Sequence, residues 1–86
     1  MKFIAEITVM PLKELLDPQG KAVHQGLNNL GLKEIADVRI GKHIRLKIEA
    51  DSLEKANEKV EAACKKLLAN PVMEYFEFTV NEQKEI

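Results

Sequence analysis

Tryptophan is absent from this 86-residue sequence, tyrosine and cysteine occur once each, and histidine only twice. These shortages exclude a good deal. With Cys64 alone, an intrachain disulfide is impossible and a cysteine-rich metal site is ruled out. The balance of 13 basic and 14 acidic residues leaves a formal net charge of −1, so no global field draws the chain toward nucleic acid or an anionic membrane. No apolar run approaches the roughly 18 residues that span a bilayer. Met1-Lys2-Phe3 leads straight into strand-like sequence rather than a signal peptide, and a cytoplasmic protein is expected.

Chemical signatures are also missing. The sequence holds no GxxxxGK(S/T), no GxGxxG, no HExxH and no GxSxG. His24 and His43 fall in different expected elements, the first on the polar side of a helix and the second beside a turn, so no nucleophile and base can be paired. No catalytic residue, bound cofactor or metal is expected in this chain.

What is present is the makeup of one domain, 45% hydrophobic and 31% charged. A chain this short buries only about 60% of its unfolded surface, too little to wall in a deep substrate pocket, so a partner subunit is expected to complete it.

Phe3, Ala5, Ile7 and Val9 alternate with Lys2, Glu6 and Thr8, the pattern of a strand that Pro11 closes. Asp17 is a good N-cap and Pro18 a good first helical residue, because proline lacks only an N–H that a helix start leaves unpaired. Ala22, Val23, Gly26, Leu27 and Leu30 then form an apolar stripe, and Gly31 stands where a left-handed C-terminal cap is expected. Two alternating runs come next, Ile35 to Ile40 and His43 to Ala50, separated by Gly41-Lys42, which permits a two-residue hairpin. In that hairpin Ala36, Val38 and Ile40 share an inner face with Ile44, Leu46 and Ile48.

Asp51-Ser52-Leu53-Glu54 resembles a capping box. The long helix behind it carries the stripe Leu53, Ala56, Val60, Ala63, Cys64 and Leu67, in which Cys64 reads as a small buried hydrophobe. Asn70-Pro71 stops the helix, and Val72 to Val80 reads as the last strand, with Phe76, Phe78 and Val80 on one face. Residues 81–86 read as a flexible tail, leaving residues 1–80 as the single domain.

Strand, helix, strand, strand, helix, strand is the order of an α+β, ferredoxin-like βαββαβ fold: a four-stranded antiparallel sheet with both helices on one face. The uncovered face would show Ile4, Met10, Met73 and Tyr75 beside its charges, a patch that monomers seldom leave open, which points to self-association. The basic cluster Arg39, Lys42, His43, Arg45 and Lys47 suits phosphates or an acidic protein surface. The hairpin strands lack the aromatics on which ferredoxin-like RNA binders stack bases, so a plain solvated face is the first reading and a protein interface the next.

Three stretches taken together carry a resemblance: LLDPQGKAV at Leu15 to Val23, DVRIGK at Asp37 to Lys42 and LLANPVMEYF at Leu67 to Phe76. In order and in register over nearly the whole chain, they resemble the PurS family, the small subunit of phosphoribosylformylglycinamidine synthase. The resemblance implies a non-catalytic homodimer, with a tetramer as an open alternative. It would bridge a large synthetase subunit and a glutaminase subunit so that ammonia passes between them. The ligase complex makes formylglycinamidine ribonucleotide from formylglycinamide ribonucleotide in purine biosynthesis, using ATP and Mg on the synthetase subunit. Carried over by motif, Arg39, Gly41, Lys42, Asn70, Pro71 and Glu74 are expected at partner interfaces. Arg39 and Lys42 come first, having the weakest structural roles, whereas Asp17, Pro18 and Gly31 are expected to shape the backbone. The rival reading is a stand-alone ferredoxin-like regulatory module that binds a small ligand at a dimer interface.

Overall fold

In the computed structural model, which describes residues 1–83, strand β1 (Lys2–Pro11) is the spine. Its alternation places Phe3, Ala5, Ile7 and Val9 fully inside. β1 is paired on both edges, antiparallel to β2 (Lys42–Glu49) and to β3 (Glu74–Glu82), so the sheet order is β2-β1-β3. Ile7 lies opposite both Ile44 and Phe78, which brings the apolar sides of all three strands onto one face, as the alternation requires.

Helix α2 (Leu53–Ala63) covers that face over β1 and β3. Its N-cap is Ser52, which accepts a hydrogen bond from the Lys55 N–H; the cap therefore falls one residue later than Asp51, and with Lys55 at the third helical position the expected box with Glu54 is replaced by a simple serine cap. After Ala63 the helix widens into a π-helical turn, Cys64–Leu68, in which the Ala69 N–H reaches back five residues to the Cys64 carbonyl. The extra residue rotates the side chains beyond it around the helix axis. Ala56, Val60 and Cys64 are buried as the stripe requires, but Leu67 is 83% exposed and Leu68 packs against the core instead.

Helix α1 (Pro18–Asn29) begins at the Asp17 cap and ends before Gly31, whose φ of 87° is the left-handed conformation expected there. It does not lie on the sheet with α2. Apart from marginal contact it touches no other element, and Leu30 at its end is 76% exposed. The expected fourth strand is likewise missing: Ile35 to Ile40 runs extended without joining the sheet, and the described residues form three strands. A hairpin with glycine first needs a positive φ at Gly41, and Gly41 does not have one; the chain runs straight on into β2. A Cβ on Gly41 would overlap the Val9 carbonyl oxygen, so the residue is pinned against the end of β1.

Residues 12–41 therefore form an arm that leaves one end of the sheet between two neighbouring strands. Its reach shows in the dimensions, 50 × 34 × 14 Å, and in a radius of gyration of 16.7 Å. A compact domain of this length would have about 12 Å. β3 begins at Glu74, after a turn at Pro71 to Met73, which removes Met73 from the sheet face where it was expected. The strand continues through Asn81 and Glu82, past the expected end at Val80; the rest of the anticipated tail, residues 84–86, lies outside the described residues.

Candidate functional site

The base of the arm is where the motif residues meet. Asp17 caps α1 by accepting the Gly20 N–H at 3.1 Å on one carboxylate oxygen, and accepts the Ile40 N–H at 2.7 Å on the other. One side chain thus starts the helix and holds the end of the returning segment. These hydrogen bonds, Ile40 first and Gly20 second, hold the carboxyl below its ordinary pKa, with the Arg39 charge adding to them. Gly20 is buried in the same place; a Cβ there would overlap the Val38 carbonyl oxygen, so only glycine lets the returning chain approach so closely.

Arg39 completes the clamp. Its guanidinium donates to the Leu15 carbonyl at 2.9 Å and to the Leu12 carbonyl at 2.5 Å, tying the return segment to the loop that leaves β1. Sequence reasoning assigned Arg39, together with Lys42, the weakest structural role; for Arg39 the structure differs, because its fork is engaged by backbone. Further along the arm, His24 Nε2 donates to the Ile35 carbonyl at 2.7 Å, so α1 and the return segment are joined at two levels.

The third motif stretch reaches the same place from the other side. Asn70 organises the turn before β3: its side-chain oxygen accepts the Val72 N–H at 3.1 Å and its carbonyl accepts the Glu74 N–H at 2.7 Å. Glu74 answers by accepting the Asn70 N–H at 2.8 Å. The Leu12 N–H donates to the Met73 carbonyl at 2.9 Å, joining this turn to the arm. Asp17, Pro18, Ile40, Asn70 and Glu74 consequently line one cleft of about 310 Å³, rimmed by the exposed side chain of Leu16. Residues more than fifty positions apart in the chain are neighbours here. Pro71 lies exposed in the turn that follows Asn70, Gly41 sits against Val9 and Met10 of β1, and Lys42 is exposed at the start of β2.

A second cluster escaped sequence reasoning. On the open face of the sheet Glu6 accepts from His43 Nε2 and from Arg45 Nε, both at 2.5 Å. The hydrogen bond from His43 is the main cause holding the Glu6 carboxyl below its ordinary pKa, with Arg45 next. The signal was the strand register, which sets Glu6 directly opposite Arg45, and composition cannot supply a register. Cys64 is fully buried, and burial pushes its thiol pKa up, which makes it inert rather than nucleophilic. Among the described residues, no group of three His, Cys, Asp or Glu side chains is placed to hold a metal ion, and no helix is long and apolar enough to cross a membrane.

Fold and site together define a small three-stranded α+β domain whose motif residues Asp17, Arg39 and Asn70 are engaged by backbone groups. Comparison with known proteins makes the class specific. The family model described as PurS: phosphoribosylformylglycinamidine (FGAM) synthase matches residues 4–82. The phosphoribosylformylglycinamidine synthase subunit PurS of Methanocaldococcus jannaschii is 37% identical over 78 residues, which cover 91% of this chain and 94% of that one. Bacillus subtilis PurS superposes with a TM-score of 0.84 at 39% identity, covering 93% of this chain and 99% of that one. A chain in the structure of PurLQS from Thermotoga maritima superposes with a TM-score of 0.86 at 34% identity, covering 94% and 99%. The chain belongs to the PurS family, the PurS subunit of phosphoribosylformylglycinamidine synthase.

Proposed function

We propose that this chain is the non-catalytic bridge of its synthase, holding the synthetase and glutaminase subunits in one geometry while ammonia passes between their active sites. Ammonia is mostly protonated at neutral pH and then useless as a nucleophile, so an enclosed path between two fixed sites has a clear physical value. ATP and Mg act on the synthetase subunit, in the cytoplasm, and this chain binds neither. The relative from Thermotoga maritima, solved as part of PurLQS, supports the partner assignment.

The observation that carries the reading is the convergence of Asp17, Pro18, Asn70 and Glu74 on one cleft, with the polar side chains of Asp17, Asn70 and Glu74 engaged by backbone. That arrangement suits a docking surface better than a reaction centre. Partner contact falls to the exposed Pro71 turn and to Lys42; Arg39, Gly41, Asn70 and Glu74 serve it by fixing the backbone on which those residues ride. The working form is a homodimer, in which the fourth strand of the ferredoxin-like plan is completed.

Reconstitution tests the reading. With matching synthetase and glutaminase subunits, glutamine-dependent amidine formation should require this chain, while ammonia-dependent formation by the synthetase should not. Equal glutamine-dependent rates with and without the chain would refute the bridging role.

A further inference from the structure

The cleft at the base of the arm has apolar walls and charge of a single sign. Pro11, Leu15, Ile40 and Met73 line it and Leu16 rims it, with Leu16 74% and Met73 54% exposed. Asp17 and Glu74 are the charged groups among its described lining residues, and no lysine, arginine or histidine stands with them. We propose that this cleft receives a lysine side chain from another subunit of the synthase, its aliphatic stem along the apolar walls and its ammonium on Glu74. The proposal rests on the bridging reading and deepens it by naming the chemistry of one contact.

The two carboxylates are not equivalent. Both oxygens of Asp17 are occupied, one by the Gly20 N–H and the other by the Ile40 N–H. Arg39 adds its charge nearby, but its fork is committed to the Leu12 and Leu15 carbonyls and it does not line the cleft. Glu74 accepts the Asn70 N–H on Oε1 alone, and no donor among the described residues reaches its Oε2. That open oxygen belongs to a half-buried side chain, where a charge partner is bound more strongly than in open water.

One open oxygen selects among cations. It accepts a single N–H, which an ammonium supplies, whereas a guanidinium bonds a carboxylate best through two parallel N–H groups and would find half of its match here. The carbons of a lysine stem gain burial against Leu15, Leu16 and Met73 while the charge stays at the polar end, as long basic side chains ordinarily arrange themselves. A volume of about 310 Å³ lies at the lower end of the range for ligand cavities, which suits one side chain. The site is also ready-made. Asn70 and Glu74 brace the turn on one side, and the Leu12 N–H ties that turn to the arm through the Met73 carbonyl, so little ordering is required on binding.

Zero-length carbodiimide coupling of the reconstituted complex, which joins a carboxylate to an amine in contact with it, reads the interaction directly. Peptide mass spectrometry should find Glu74 joined to a lysine of the synthetase or glutaminase subunit. A Glu74 link to a second copy of this chain, or no link from Glu74 at all, overturns the proposal. Substitution gives the independent check. Glu74→Gln keeps an oxygen for the Asn70 N–H and removes the charge, so the concentration of chain giving half-maximal glutamine-dependent activity should rise about tenfold. Glu58→Gln, exposed on α2, removes the same charge elsewhere and should leave that concentration unchanged. If Glu74→Gln does not fold, Leu16→Lys decides: at the exposed rim it sets a competing ammonium at the mouth of the cleft and should weaken assembly in the same way. Assembly as tight as wild type in the folded variant overturns the lysine site and leaves the bridge standing, whereas glutamine-dependent activity that never required the chain overturns the bridge itself.

Discussion

Asp17 accepts the backbone N–H of Ile40 across 23 positions of sequence while capping the helix that begins at its own neighbour. The interaction therefore reports on the arm as a whole. Because the folded carboxyl is held below its ordinary pKa of 3.8, its contribution to stability is fully present above that value and is lost as pH falls through the lower, folded one. Asn keeps one acceptor oxygen for the helix cap but turns an NH2 toward the other backbone N–H, so Asp17→Asn should lower the melting temperature at neutral pH by about 4–8 °C, the range of one lost hydrogen bond. The gap between variant and wild type should narrow below pH 3.8. Thermal melts at neutral and acid pH decide this; a gap independent of pH would show that the charge plays no part.

Gly20 should tolerate no side chain. In a first helical turn alanine is ordinarily the better residue by roughly 1 kcal/mol. Here its Cβ would run into the Val38 carbonyl, so Gly20→Ala should destabilise. Gln19→Ala, at an exposed neighbouring position, serves as the control and should leave the melting temperature within a degree or two.

Arg39→Lys separates scaffolding from partner contact. An ammonium cannot reproduce a fork that donates to the Leu12 and Leu15 carbonyls together, so the melting temperature should fall while charge is kept. Glutamine-dependent activity of the reconstituted complex should recover when the variant is assayed at a temperature where it is folded. Loss of activity with an unchanged melting temperature would return Arg39 to the partner surface.

Cys64 should resist alkylation in the native protein at pH 8 and react within minutes once denaturant exposes it, since burial both covers the thiol and raises its pKa. Rapid labelling of the folded chain would mean that α2 and its π-helical turn open readily.

Local chemistry was legible in the sequence. Asp17-Pro18 and Gly31 bracket α1 because capping and a left-handed terminus are decided within a few residues. The alternation of Phe3, Ala5, Ile7 and Val9 fixes the buried face of β1 for the same reason. The fourth strand and the packing of α1 were not legible. Ile35 to Ile40 carries a strand pattern, but whether it folds back depends on one backbone angle at Gly41 and on the clamp beneath it. Composition describes what a segment can pair with and is silent on whether it does. Arg39 was misread for a related reason: its partners are carbonyls of Leu12 and Leu15, and backbone groups leave no mark in a side-chain pattern. The shared cleft of Asp17 and Asn70 likewise needed the turn before β3 to be placed against the arm.

The π-helical turn at Cys64–Leu68 is in effect a stored insertion. A helix that carries one surplus residue in its hydrogen-bond ladder can lose it and close into regular α-helix without moving its first turns. Deleting Lys66 should therefore be tolerated far better than deleting a residue from Leu53–Ala63, and length differences between relatives have a natural place to accumulate just ahead of the Asn70 turn.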